Sequence, residues 1–276
     1  MQKIWQENKW LANVAVVNKV GGGGALASSY VIQHAADAHY LAIVRRALQT
    51  NHMLGRSTLN YTDMTPLASV GSEWMALTVR ADSPVKSVRD LVERLRADPQ
   101  SVSAALGSSR GGTPDFVLAL VARTGGVEPR KLKVVTFGGA AESVTHLLGG
   151  HIDMMTVSVD NVLPHYRSGA MRVLGISSPQ RSALMPDVPT LREQGYDVVM
   201  GGFVAIMGAK GLTPPQVAYW EGILERTANH ADWKRVLEAD ALEVEFIKGQ
   251  ALRDYLRKEY DVARGLLVEM GMVVKQ

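Results

Sequence analysis

The chain has 276 residues, 46% of them apolar and 21% charged, with a formal net charge of +3 and no cysteine. That length can bury one large core or two modest ones. The interspersed charge gives no electrostatic footprint for a nucleic-acid partner, and the lack of cysteine removes disulfides, thiolate metal sites and cysteine nucleophiles together.

No apolar run approaches the roughly 18 residues of a membrane span. The opening MQKIWQENKWL is polar and has neither an apolar core region nor a small-residue cleavage site, so it does not read as a signal peptide. It reads instead as a helix over Met1–Leu11, with Ile4, Trp5 and Leu11 on its apolar face. Asn13–Lys19 is expected to be a strand, Gly21–Gly24 a turn, Ala25–Ala36 a helix and His39–Arg46 the next strand. That order is a βαβ unit and implies a parallel sheet. Gln49–Asp63 is polar and irregular. Thr65–Val70 and Trp74–Arg80 read as two strands, and Ser87 caps a helix over Val88–Ala97.

The stretch from Val102 to Asp153 repeats one pattern twice. A short apolar run ends in a glycine- and hydroxyl-rich turn, and a helix starts directly out of that turn. The first turn is Gly107-Ser108-Ser109-Arg110-Gly111-Gly112-Thr113, with Pro114 at the first helical position; the second is Phe137-Gly138-Gly139-Ala140. Proline just inside a helix and threonine just before it are start signals. A helix N-terminus carries about half a positive charge and up to four unpaired N–H groups. Two such ends facing one crevice would form an anion cradle built from backbone.

Beyond it, Ile152–Val157 and Met171–Ser177 are expected strands and Val162–Ser168 a short helix. Pro179–Glu193 is mostly loop. Asp197–Gly208 reads as two strands broken at Gly201-Gly202. Pro214–Ala228 and Ala231–Ala239 are helices, Glu243–Ile247 a short strand and Gln250–Met270 a long amphipathic helix. The class is therefore α/β. Chain crossings are expected near Ala97–Ser101 and Gly201–Gly202. They give one lobe from residues 1–100 and 203–276 and a second from 101–202, with the ligand in the cleft between.

The ordered set GGGGALASSYV, TNHMLGRSTLNYTDMTPLASVGSEWMALTVRADSPVKSVRDLVERLRADP, SSRGGTP, LLGGHIDMM, LPHYRSGAMRVLGISSPQR and MPDVPTLREQGYDVV resembles the substrate-binding proteins of tripartite tricarboxylate transporters, the Bug-type extracytoplasmic receptors. It spans Val16 to Val273. The resemblance implies a two-lobed periplasmic binding fold of type II character, each lobe a mostly parallel sheet flanked by helices. It also implies a small carboxylate as ligand, membrane permease subunits as partners, a periplasmic location, a monomer, and neither catalysis nor a cofactor. Carried over by motif, Ser108, Ser109 and Thr113 match the hydroxyl turn, Gly138, Gly139 and Ala140 the second turn, and Ser158 the position after a following strand. Against the family pattern, the chain is expected to lack the first strand, its Pro/Gly-rich loop and the export signal. Asp115 stands where relatives often carry a neutral residue or histidine. Arg46, ending the second strand, would pair bidentately with a carboxylate if it faced the cleft.

Other readings stand beside this one. A carboxylate sensor would use the same lobes with a signalling partner. Gly107-Ser108-Ser109-Arg110-Gly111 fits G-x-S-x-G, with Ser109 as nucleophile and Asp187 or Asp197 with His230 as partners, but the glycines delay the helix. Gly22–Ala27 fits a loose dinucleotide pattern, with Arg45 and Arg46 near a 2′-phosphate position. His146, His151 and Asp153 lack ligand spacing for a metal and read as polar residues beside a turn. Trp74 is a candidate for a cleft wall.

Overall fold

The computed structural model describes residues 1–19, 24–107, 109–239, 241–243 and 245–273. The chain forms two compact units. The first holds Met1–Ser72, Phe203–Gly265 and Val273; the second holds Glu73–Gly202 and Leu266–Met272. Residues 73–100 thus fall in the second unit, whereas the sequence reading put them in the first. The reason is β2, Met64–Arg80, which is one continuous strand rather than two. From Met75 onward its residues pair within the second unit.

In the first unit, β1 (Leu41–Val44) pairs antiparallel with β7 (Gly201–Ala209), and β7 neighbours β2. On β2, Ala68 and Ser69 pair antiparallel with β8, Ile247–Lys248. The expected N-terminal parallel unit does not form. Asn13–Lys19 joins no sheet, and β1 takes its partner from the far half of the chain. The helices here are α1 (Gln2–Glu7), α2 (Ala25–Ile32), α3 (Ala47–Met53), α8 (Pro214–Asn229), α9 (Ala231–Ala239) and most of α10 (Gly249–Glu269). The tryptophans anchor one of its cores. Trp5 and Trp220 rings lie 5.9 Å apart, Trp5 Nε1 donates to Thr227 Oγ1 at 2.7 Å, and Trp220 Nε1 donates to the Ala38 carbonyl at 2.8 Å. Burial of each ring is favourable because its one polar atom keeps a partner.

The second unit is a mixed sheet in the order β6-β2-β5-β3-β4. Its other members are β3 (Ser103–Leu106), β4 (Lys133–Thr136), β5 (Met154–Ser158) and β6 (Met171–Ile176). β3 runs parallel to both β4 and β5, while β2 is antiparallel to β5 and β6. Parallel neighbours require crossover connections, here α5 (Thr113–Thr124) and α6 (Ala140–Leu148). α4 (Val88–Ala97) forms as its sequence predicts: Ser87 accepts from the Asp90 N–H at 3.1 Å and Asp90 accepts from the Ser87 N–H at 3.1 Å. Its Val88, Leu91, Val92 and Leu95 enter a core with Leu77, Val117, Leu118, Val121 and Met154. α7 (Val159–Arg167) follows β5.

The pair Gly201-Gly202 starts β7 instead of breaking a strand. A Cβ on Gly201 would meet the Trp74 ring at 2.8 Å, and one on Gly202 would meet Glu73 Oε1 at 2.7 Å. These glycines allow close approach to β2; Trp74 fills that contact.

Candidate functional site

The parallel register sets three strand ends side by side. Leu106 at the end of β3 pairs with Thr136, the last residue of β4, and with Thr156, two residues before the end of β5. The bends that follow therefore leave from one edge of one sheet. α5 starts at Thr113, α6 at Ala140 and α7 at Val159. The chain steps outward from β3 to β4 and then returns across β3 to lay down β5. This reversal makes the β3–β5 end a strand-order switch point, where open α/β sheets hold ligands. α5 packs with α4, whereas α6 packs with α7. Both glycine bends thus belong to the second unit. Their convergence arises within a single sheet.

Gly107 is fixed by the strand beside it. Its N–H donates to the Thr156 carbonyl at 3.0 Å, and a Cβ there would meet Val157 Cγ2 at 2.4 Å. Val157 is buried in β5 and cannot move aside. Gly107→Ala is expected to cost about 1–2 kcal/mol by overpacking, seen as a lower urea midpoint with an unchanged slope. An unchanged midpoint would show that this edge yields.

The helix starts carry their own anions; the sequence singled out Asp115, at the first, but not Glu142, at the second. Asp115 is 2% exposed, and its Oδ2 accepts from the Gly111 N–H and from Arg110 Nε, both at 2.8 Å. Gly111, at φ 82°, lies in the left-handed region that glycine tolerates. At the second bend, Glu142 Oε2 accepts the Gly138 N–H at 2.7 Å. In both helices the acid is the third helical residue and reaches back to the residue before the cap, so each carboxylate sits on the positive end of its helix. At the third start the equivalent residue is neutral: Asn161 Nδ2 donates to Ser158 Oγ at 2.9 Å. The signal was an acid three positions after each capping glycine. Ser143 Oγ ties α6 to β3 by donating to the Leu106 carbonyl at 3.0 Å.

Among the residues singled out from sequence, Ser109, Thr113, Gly138, Gly139, Ala140 and Ser158 all lie along this edge. Ser109 is exposed and Thr113 buried. Ser108 lies outside the described residues. Arg46 belongs to the first unit. It is buried, caps the start of α3 and is ion-paired with Glu259.

The alternative motifs find other employment. α5 begins at Thr113, past Ser109, so no nucleophile elbow forms there. Asp197 pairs with Arg192 at 3.1 Å, and His230 Nδ1 accepts the Asp232 N–H at 3.2 Å. Gly22 and Gly23 of the dinucleotide pattern lie outside the described residues. His146 stacks on Phe137 at 4.2 Å, and Asp153 Oδ2 accepts the Ser103 N–H at 2.7 Å. Among the described residues no three His, Asp or Glu side chains gather as a metal site, and no helix is long and apolar enough to cross a membrane.

An α/β unit with three helix starts along one sheet edge, carried in one chain with a second α/β unit, has the architecture of periplasmic solute-binding proteins. Residues 5–272 match the Tripartite tricarboxylate transporter family receptor, and the chain belongs to that family. It is 29% identical over 234 residues to the protein BugT of Bordetella pertussis, covering 83% of this chain and 69% of the relative. A TctC solute binding protein from Polaromonas, solved without ligand, is 26% identical with a TM-score of 0.75, over 93% of this chain and 87% of the other. R. palustris Rpa4515 with adipate superposes with a TM-score of 0.86 at 20% identity, over 99% and 91%.

Proposed function

We propose that this protein is an extracytoplasmic receptor that captures a small carboxylate in the periplasm and delivers it to the permease subunits of a tripartite tricarboxylate-type transporter. The observation that carries the reading is the single sheet edge at which β4, β3 and β5 present three helix starts with glycine and hydroxyl bends. Family membership and the adipate held by a structural relative support a carboxylate as ligand. In this reading the N–H groups of Gly139 and Ala140 and the hydroxyls of Ser109, Thr113 and Ser158 receive the anion, with Ser108 and Gly138 in the same bends.

A thermal-shift panel of mono-, di- and tricarboxylates tests this. At least one should raise the melting temperature, since a ligand that binds only the folded state stabilises it. Calorimetry with that compound should show Ser158→Ala weakening binding by about 1 kcal/mol, the worth of one hydrogen bond. A panel with no response, or affinity untouched by both Ser158→Ala and Thr113→Val, would remove the edge as the site.

A further inference from the structure

α10 ends within the second unit, to which Leu266–Met272 belong. The helix closes on Gly271, at φ 66°: the Gly271 N–H donates to the Val268 carbonyl at 2.9 Å, and the Met272 N–H donates to the Leu267 carbonyl at 2.8 Å. This pair of bonds is the glycine-closed helix ending, and it folds the residue after the glycine back onto the helix. Leu266, Leu267 and Met270 are buried and anchor the turn. Three arginines of the second unit meet it. Arg130 Nε donates to the Glu269 carbonyl at 2.9 Å, and Arg123, in the last turn of α5, donates to Glu269 Oε2 at 2.5 Å. Both cations suit the negative end of a helix. The third is Arg110, in the glycine bend at the opposite end of α5. Its Nη2 donates to Met272 Sδ at 3.6 Å while its Nε donates to Asp115 Oδ2 at 2.8 Å.

A chain of bonded links therefore runs from Met272 through Arg110 and Asp115 to the Gly111 N–H of the bend. An arginine gives up much rotamer freedom when it is held in one place. A second acceptor on its guanidinium keeps it seated on the first. We propose that Met272 is a positioning residue for the candidate site: it seats Arg110 on Asp115 and so fixes the bend that carries Ser109 and Thr113. Its consequence for the ligand rests on the carboxylate reading above. With Arg110 seated, the negative charge of Asp115 is offset at the start of α5. With Arg110 loose, that charge repels a carboxylate arriving at the sheet edge. A thioether is only a weak acceptor, so the hold is light and depends on which side chain stands at position 272.

Amide hydrogen exchange at Gly111 in the ligand-free chain is the test, because that N–H is protected while Asp115 stays in place. Met272→Leu keeps the apolar bulk and removes the acceptor. It should speed exchange at Gly111 roughly threefold, the loss of one weak hydrogen bond, with the urea midpoint unchanged. Met272→Gln, unbranched and bearing a carbonyl oxygen, should restore the protection. In an Arg110→Met background, Met272→Leu should add nothing. Calorimetry with a carboxylate that raises the melting temperature should give the same order, with binding weakened about threefold in Met272→Leu and recovered in Met272→Gln. Exchange at Gly111 that ignores position 272, or an effect of Met272→Leu that persists without Arg110, would overturn the proposal. Exchange that responds in a chain binding no carboxylate would uphold the positioning role and remove the carboxylate reading alone.

Discussion

Replacing Arg46 by alanine is expected to lower the unfolding free energy by about 3 kcal/mol, because it strands a largely buried carboxylate and removes a fully buried guanidinium. The side chain of Arg46 is 2% exposed and that of its partner Glu259 is 16% exposed. The guanidinium also lies 5.9 Å from the Phe203 ring. Its surroundings are acidic. Burial pushes the Tyr255 phenol up, and Glu259 and Glu245 push it further. Burial likewise raises the Glu245 carboxyl, with Glu243 and Glu259 adding to the effect. Arg46 is thus the counter-charge for a group of acids that would otherwise repel one another.

The pH dependence follows from the same cluster. A carboxyl raised in the folded state contributes stability that is complete below its unfolded pKa and is lost as pH rises through the folded value. For Glu245 this means stability that falls as pH rises through its raised value. Denaturant melts of Arg46→Ala near neutral and mildly acidic pH check both statements. The double change Arg46→Met with Glu259→Leu, which removes both charges, should recover most of the stability. An Arg46 that served only the ligand would give the opposite pattern, with stability kept and affinity reduced.

How far the sequence could be read depends on whether each element is specified locally. α4 is bounded by Ser87 and Asp90, a few residues apart, and the structure shows both capping bonds. The two glycine bends and their helices are local in the same sense, so the β3–α5 and β4–α6 units were legible. Strand pairing is decided at a distance. NVAVVNK has the composition of a strand, but β composition forms a ladder only where another edge is presented, and β1 pairs instead with β7. α3 was hidden by its polarity. Gln49, Thr50 and Asn51 suggested a loop, yet all three are buried, and Gln49 Nε2 donates to the Leu256 carbonyl at 2.8 Å. At the candidate site the backbone bends could be named from glycine and hydroxyl spacing. That Asp115 would turn back onto Gly111 and Arg110 instead of facing solvent depends on burial, which only the folded chain reveals.

Asp115→Asn should move stability and anion affinity in opposite directions. Asparagine keeps an oxygen for the Gly111 N–H but loses the charge-assisted bond from Arg110, a loss of about 1.5–2 kcal/mol at a buried position. The same change withdraws a negative charge from the start of α5 and releases the positive charge of Arg110 beside it. A ligand carboxylate at this sheet edge would then meet less repulsion. Two unit charges about 6–10 Å apart at an effective dielectric near 20 repel by roughly 1.7–2.8 kcal/mol, so even partial relief amounts to about a tenfold gain in affinity. Glu142→Gln should do the same more weakly, because Glu142 is exposed and water already screens it. Calorimetry with the carboxylate of largest thermal shift, paired with denaturant melts, measures both quantities. Lower stability with tighter binding is the expected pair. Weaker binding by Asp115→Asn would mean that the carboxylate meets a positive group on the ligand, which would turn the site toward zwitterions. Unchanged affinity would place the bound anion away from α5, leaving the starts of α6 and α7 to hold it.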